Sequence, residues 1–244
     1  MHRDFFGENA LIVGGNCEMG ICLAQKLIEM GLYPTMTGRN TTALKQIQHD
    51  MGAAFEGRYR TLILDFSDPE TIEMIPKKIY NTLDYMIDFV QGNYESLIAG
   101  SCHKEVYDYY LQYVAFRAVL LKKISRAMLV RRKGRMVYVS STAALRPNPG
   151  QGFYASSKKA AESLYRNIGL ELGDRGVTTV SLRAGYVEAG RGRDYLAQSL
   201  DDTLKNKRLT LKHITETILF LLSDSAEGFN ATELVMDRGL TAGK

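Results

Sequence analysis

Several chemistries are excluded by what this chain has little of. Its 244 residues include three cysteines and four histidines. Cys17, Cys22 and Cys102 have no metal-ligand spacing and cannot all pair, so neither a zinc cluster nor a disulfide framework is expected. The scattered histidines add no metal motif, and no metal is expected. No run of about 18 apolar residues occurs, which leaves nothing to span a membrane. The opening Met1-His2-Arg3-Asp4 carries an acid and does not read as a signal peptide; with the cysteine usage it points to a reducing cytoplasm. A net charge of +4 is too small to argue for nucleic acid as a partner. Repeats, low-complexity tracts and Pro/Gly/Ser linkers are absent as well, so one domain over 1–244 is expected.

What is present is alternation. Short apolar runs rich in β-branched residues recur at 10–13, 33–37, 61–64, 85–90, 135–139, 178–182 and 234–236. Helix-patterned stretches lie between most of them, at 19–30, 42–51, 69–80, 104–131, 153–172 and 213–222. That order predicts a doubly wound α/β domain, with a parallel sheet covered by helices on both faces. Such sheets bind ligands at the carboxyl ends of their strands, near the point where strand order reverses.

The first strand runs into Gly14-Gly15-Asn16-Cys17-Glu18-Met19-Gly20 and then a helix. Glycines at such a turn let the backbone approach a pyrophosphate lying on the helix N-terminus, although a tight turn without ligand has the same composition. The second strand ends in Thr37-Gly38-Arg39-Asn40. A carboxylate there would hold a ribose 2′-hydroxyl; Gly38 and Arg39 instead leave room for a 2′-phosphate and offer it a cation, which argues for NADP(H) over NAD. An ordinary surface arginine would look similar. Asp65, closing the third strand, could accept from an adenine amino group or serve a helix cap.

The most specific chemistry lies in Tyr154-Ala155-Ser156-Ser157-Lys158. Residues four apart share a helix face. An ammonium ~4 Å from a phenol, at an effective dielectric of ~20, favours the phenolate by ~4 kcal/mol. That corresponds to roughly three pKa units, enough to bring the phenol toward neutrality, where it can exchange a proton. The spacing alone is one that chance supplies, and two amphipathic residues on a solvated face would share it.

With Ser141 thirteen positions before Tyr154 and the strand order above, the chain resembles the short-chain dehydrogenase/reductase family, in particular the 3-oxoacyl-acyl-carrier-protein reductases. The resemblance implies a seven-stranded Rossmann-type sheet, a homotetramer or dimer, and NADPH-dependent reduction of a carbonyl, as in fatty-acid or polyketide-like synthesis. It gives Tyr154 the role of acid/base and Lys158 that of lowering the tyrosine pKa and holding the nicotinamide ribose. Ser141 would polarise the carbonyl, and Tyr113 stands where the family has its helix asparagine. The implied cofactor site draws on Gly14, Asn16, Cys17, Gly20, Arg39 and Asp65, then on Phe66, Val90, Gly185 and Val187, together with Tyr154 and Lys158.

Departures from the family pattern gather around the cofactor. Glu18 replaces the middle glycine of Thr-Gly-x-x-x-Gly-x-Gly; Asp88-Phe89-Val90-Gln91 stands for Asn-Asn-Ala-Gly; Ala184-Gly185 stands for Pro-Gly; and Ala189 replaces a threonine. These leave a second possibility open, a structural partner of a related reductase in a mixed oligomer. A third is a dehydrogenase of another small alcohol, decided by the 188–206 loop. Finally, Arg126, Arg131, Arg132, Lys133 and Arg135 concentrate charge at the end of the long helix. Cations there complement the helix C-terminus. By the resemblance, Arg132 and Arg175 fall where these reductases dock acidic acyl-carrier protein.

Overall fold

The computed structural model describes residues 4–242. Met1-His2-Arg3, read above for a targeting signal, lies outside them. Seven strands form one sheet in the order β3-β2-β1-β4-β5-β6-β7, every pair parallel. In chain order the elements are β1 (Asn9–Val13), α1 (Glu18–Glu29), β2 (Tyr33–Gly38), α2 (Thr41–Met51), β3 (Arg60–Ile63), α3 (Glu70–Glu73), α4 (Lys77–Thr82) and β4 (Tyr85–Asp88). There follow α5 (His103–Tyr110), a π-helical turn (Leu111–Phe116), α6 (Arg117–Arg131), β5 (Gly134–Ser141), α7 (Gly152–Leu172) and β6 (Val177–Ala184). The chain closes with α8 (Gly190–Gln198), α9 (Asp202–Asn206), α10 (Leu211–Leu222) and β7 (Thr232–Met236). The doubly wound, seven-stranded expectation is met.

The two-residue period of a strand divides the core. Ala10 and Ile12 of β1 pack on one face with Leu23, Leu27, Ile47 and Ile218 from α1, α2 and α10. Leu11 and Val13 point to the other face, with Leu120 and Ile124 of α6 and Ala161 and Tyr165 of α7. Both faces being covered, the central strands are apolar runs rather than alternating ones. No helix among the described residues is long and apolar enough to cross a membrane.

Three expected elements differ in the structure. The single helix expected at 69–80 is two short ones, because Pro76 sits at ψ 134° and cannot continue a helix. The strand expected at 85–90 ends at Asp88, whose Oδ1 accepts from the Val90 amide at 2.9 Å and turns the chain. The helix expected at 104–131 carries the π turn. Within 188–206, which the sequence left as a loop, lie α8 and α9.

Strand order reverses between β1 and β4, so a crevice opens at their carboxyl ends. Gly14 there has φ +77°, and a Cβ on it would stand 2.8 Å from Val90 Cγ2. Only glycine fits where those two loops meet.

Candidate active site

A cleft of about 730 Å³ opens at the carboxyl ends of β1, β4, β5 and β6. Ser141, Tyr154 and Lys158 all line it. Ser141 ends β5, where its Oγ accepts from the Ala143 amide at 3.1 Å. Tyr154 lies in the first turn of α7 and lines the same cleft as Ser141. Lys158 follows one turn later, buried, with Nζ donating to the Val139 carbonyl at 2.8 Å. The ammonium lies 4.8 Å from the Tyr138 ring centroid and 6.0 Å from that of Tyr154.

The electrostatics correct the expected tuning. Burial, with help from Arg117, brings Lys158 down to about 7. Burial also raises Tyr154 above its ordinary value, while Ser141 and Arg191 work to lower it and Glu95 adds to the rise. Lys158 therefore does not pull the phenol toward neutrality here. Desolvation disfavours the charged form of each group, and the lysine ammonium is turned to the Val139 carbonyl and the Tyr138 ring.

Arg117, which no sequence motif marks, adds to the pressure of burial on Lys158. It is wholly buried, and its Nε donates to Asp88 Oδ2 at 2.9 Å. Its two other nitrogens donate to the Tyr113 and Val90 carbonyls. Asp88 is completed by the Tyr165 hydroxyl at 3.0 Å and the Val90 amide. The Arg117 guanidinium also lies 5.2 Å from the Tyr138 ring and 5.4 Å from Phe66. Its charge and the lysine's thus flank the same tyrosine. An acid inside the apolar run 85–90 was the signal for this cluster, but its cation comes from a helix twenty-nine positions away.

A second buried pair fixes α7 to the sheet. Both Glu162 oxygens accept from Arg183 at 2.8 Å, and Ser140 donates to Oε1 at 2.7 Å. Glu162 lies one turn beyond Lys158, and Ser140 precedes Ser141. The clamp therefore sets α7, with Tyr154 and Lys158, against the strand that carries Ser141.

At the cofactor end, the Cys17 thiol caps α1 by accepting from the Gly20 amide at 3.3 Å, and burial pushes it up to about 11. A Cβ at Gly20 would stand 2.8 Å from the Gly15 carbonyl oxygen, so the loop closes tightly on itself. Asn16, Cys17, Gly185 and Val187 line the cleft, and Val90 packs under Gly14. Glu18 does not face the cleft as a bare charge. Its Oε1 accepts from the Gly190 amide at 3.0 Å, it pairs with Arg193, and these hold its carboxyl below the usual range. Arg39 is exposed at the end of β2, without an acidic partner among the described residues. Asp65 Oδ1 accepts from the Ser67 amide and hydroxyl, which builds a turn before α3 rather than the helix cap considered above. The Phe66 side chain is buried under Arg117, which leaves only its backbone to face a ligand. A close-packed glycine cradle, a neutralised Glu18 and an open Arg39 fit a 2′-phosphorylated dinucleotide.

Other expected residues sit elsewhere. Tyr113 is in the π turn; its carbonyl is taken by Arg117, its ring lies 4.9 Å from that of Tyr109, and its hydroxyl faces Gly92. The charges around it are Arg117, Asp65, Arg39 and Arg191; among the described residues the Lys158 ammonium bonds the Val139 carbonyl instead. Arg132 and Arg175 are brought together, both exposed, where the Gly134 amide donates to the Gly176 carbonyl at 3.0 Å. That is the amino end of β5 and β6, roughly 25 Å along the strand from Ser141. No group of three or more His, Cys, Asp or Glu among the described residues is placed to hold a metal.

A family model for short chain dehydrogenases matches residues 8–199. The 3-oxoacyl-[acyl-carrier-protein] reductase FabG of Salmonella typhimurium is 24% identical over 243 residues, covering 97% of this chain and 98% of that protein. A probable 2,4-dienoyl-CoA reductase of Bacillus subtilis is 26% identical over 245 residues, covering 94% of each. Among solved structures, ElxO with NADP bound superposes with a TM-score of 0.86 at 20% identity, over 97% of this chain and 100% of that one.

Proposed function

Because the chain belongs to the short-chain dehydrogenase family, we propose that it reduces a carbonyl to a hydroxyl with NADPH, on a 3-oxoacyl thioester carried by acyl-carrier protein. The observation that carries this reading is the gathering of Ser141, Tyr154 and Lys158 in the wall of one cleft at the strand-order reversal. The 24% identity to FabG supports the substrate class, and Arg39 in place of a carboxylate after β2 supports NADP(H).

Gly14, Gly20 and the N-terminal turn of α1 would hold the pyrophosphate, Arg39 the 2′-phosphate, and Gly185 and Val187 the nicotinamide end. When bound, NADPH supplies the hydride. The chain's own residues handle the oxygen. Ser141 and Tyr154 hydrogen-bond the carbonyl oxygen, and Tyr154 gives it a proton as negative charge develops there. Lys158, held near neutrality, moves a proton at Nζ more readily than an ordinary lysine.

Carrier docking at Arg132 and Arg175 is part of the proposal. Their distance from Ser141 means that a carrier seated there would serve the cleft of a neighbouring protomer. The oligomer would form through α5 and α7, whose faces border an apolar hollow of about 820 Å³ lined by Ile98, Val106, Tyr107, Tyr110 and Phe153.

A second reading, a non-catalytic partner of a related reductase, draws on Glu18, a carboxylate in the pyrophosphate loop. Titration with NADPH, followed by turnover of a 3-oxoacyl thioester, separates the two. Saturable binding with turnover supports the reductase; binding without turnover, or neither, supports the partner.

A further inference from the structure

One of the residues that set this chain apart from its family pattern reaches across the cleft. Glu18, at the start of α1, accepts from the Gly190 amide at 3.0 Å and pairs with Arg193. Those two anchors bracket Arg191 in the first turn of α8. Backbone packing is tight there: a Cβ on Gly192 would stand 2.1 Å from the Val187 carbonyl oxygen. The tethered turn places the Arg191 guanidinium over the Tyr154 ring, 6.0 Å from its centroid. Arg191 has no carboxylate partner and no side-chain hydrogen bond among the described residues.

Lys158 stands at the same 6.0 Å from that ring, but the two cations are not equivalent. Lys158 is buried, its ammonium is turned to the Val139 carbonyl and the Tyr138 ring, and the permanent charge of Arg117 lies nearby. A guanidinium keeps its proton under all working conditions. The groups facing Tyr154 are Ser141 on β5, Lys158 on its own helix, Arg191 on α8, Glu95 after β4, and the phenols of Tyr109 and Tyr138. Arg191 is the fixed cation of that set.

We propose that Arg191 stabilises the charge left on Tyr154 when it gives up its proton, and that Glu18 is the positioning residue that straps the first turn of α8 across the cleft to hold Arg191 there. The proposal rests on the reading of Tyr154 as proton donor. In the step concerned, the phenol O–H bond breaks, its electron pair stays on the tyrosine oxygen, and the proton passes to the substrate oxygen. Glu18, a poor neighbour for a pyrophosphate if bare, thereby has a use.

A cation beside a phenol favours the phenolate, so its loss raises the phenol pKa. Reduction needs the phenol protonated, so the alkaline limb of the rate profile then moves to higher pH. The limb in kcat/KM should move up by about one pH unit in Arg191→Gln and stay near wild type in Arg191→Lys. Glu18→Gln should move it the same way, and add little in the Arg191→Gln background, because both act through one guanidinium. The second readout needs neither cofactor nor substrate: the near-ultraviolet phenolate titration of each protein, minus that of its Tyr154→Phe counterpart, should show the same shift. A titration of Arg191→Gln that superimposes on wild type overturns the proposal, as does full additivity with Glu18→Gln. A wild type that reduces nothing overturns the reductase reading instead, and the spectroscopic shift still decides the role of Arg191.

Discussion

At the residue scale, Lys158 shows how the site works against the stability of its own fold. Its pKa of about 7 lies below the ordinary 10.5, so between those values the folded chain binds fewer protons than the unfolded one. Stability contributed by this group therefore rises from pH 7 to about 10.5, and the penalty for charging it is fully present below pH 7. Lys158→Met loses the bond to the Val139 carbonyl but removes that penalty. It should raise Tm by several degrees at pH 6 and flatten the rise in stability above neutrality, while abolishing turnover. Thermal unfolding across a pH series checks this, and a lower Tm at pH 6 would count against it. Lys158, Tyr154 and Ser141 were legible because their relation is local, a helical turn and a strand end. Arg117 and Asp88 were not, since an acid in one strand acquires its meaning only when a distant helix lays a guanidinium on it. Asp88→Ala, which strands that cation, should destabilise by about 3–5 kcal/mol in denaturant unfolding.

At the scale of elements, α7 is held by Glu162. Alanine at 162 leaves Arg183 buried without its hydrogen-bonded carboxylate, a loss of about 3–5 kcal/mol that urea unfolding would register. Arg183 and Ser140 hold the Glu162 carboxyl below its usual range. Its contribution is therefore present above the ordinary carboxylate pKa and lost as pH falls through the folded one, so Glu162→Gln should lessen the acid sensitivity of wild type. The long helix spanning α5 and α6 teaches a different lesson. Its apolar pattern was readable, yet its π turn was not. The Arg117 amide bonds the Val114 carbonyl and the Tyr113 carbonyl goes to the Arg117 side chain, which Asp88 on β4 holds in place. The break at Pro76, by contrast, follows from the proline itself and belonged in the sequence reading. The loop at 188–206 hid α8 because its Gly and Arg content speaks for mobility until Glu18 is placed opposite.

At the scale of the whole molecule, the doubly wound parallel sheet and a cleft at the carboxyl ends of its strands followed from strand–helix alternation. Assembly and substrate depend on surfaces that alternation does not describe. Leu97, Ile98 and Tyr107 remain 70%, 69% and 66% exposed around the apolar hollow beside α5, which supports the interface proposed there. Light scattering after size exclusion should show an oligomer for wild type and a smaller species for Tyr107→Glu; a wild-type monomer at micromolar concentration would contradict this. Reversing Arg132 and Arg175 to glutamate should weaken reduction of a carrier-bound thioester with strong salt dependence and spare a small free thioester. Equal rates on both would remove the docking assignment. The most direct test of the central claim is NADPH oxidation with a 3-oxoacyl thioester, measured on wild type and on Tyr154→Phe whose NADPH affinity is determined in parallel. The account predicts turnover by wild type, and binding without turnover by the variant. Undiminished turnover by Tyr154→Phe, or a wild type that binds NADPH and reduces no carbonyl, would contradict it.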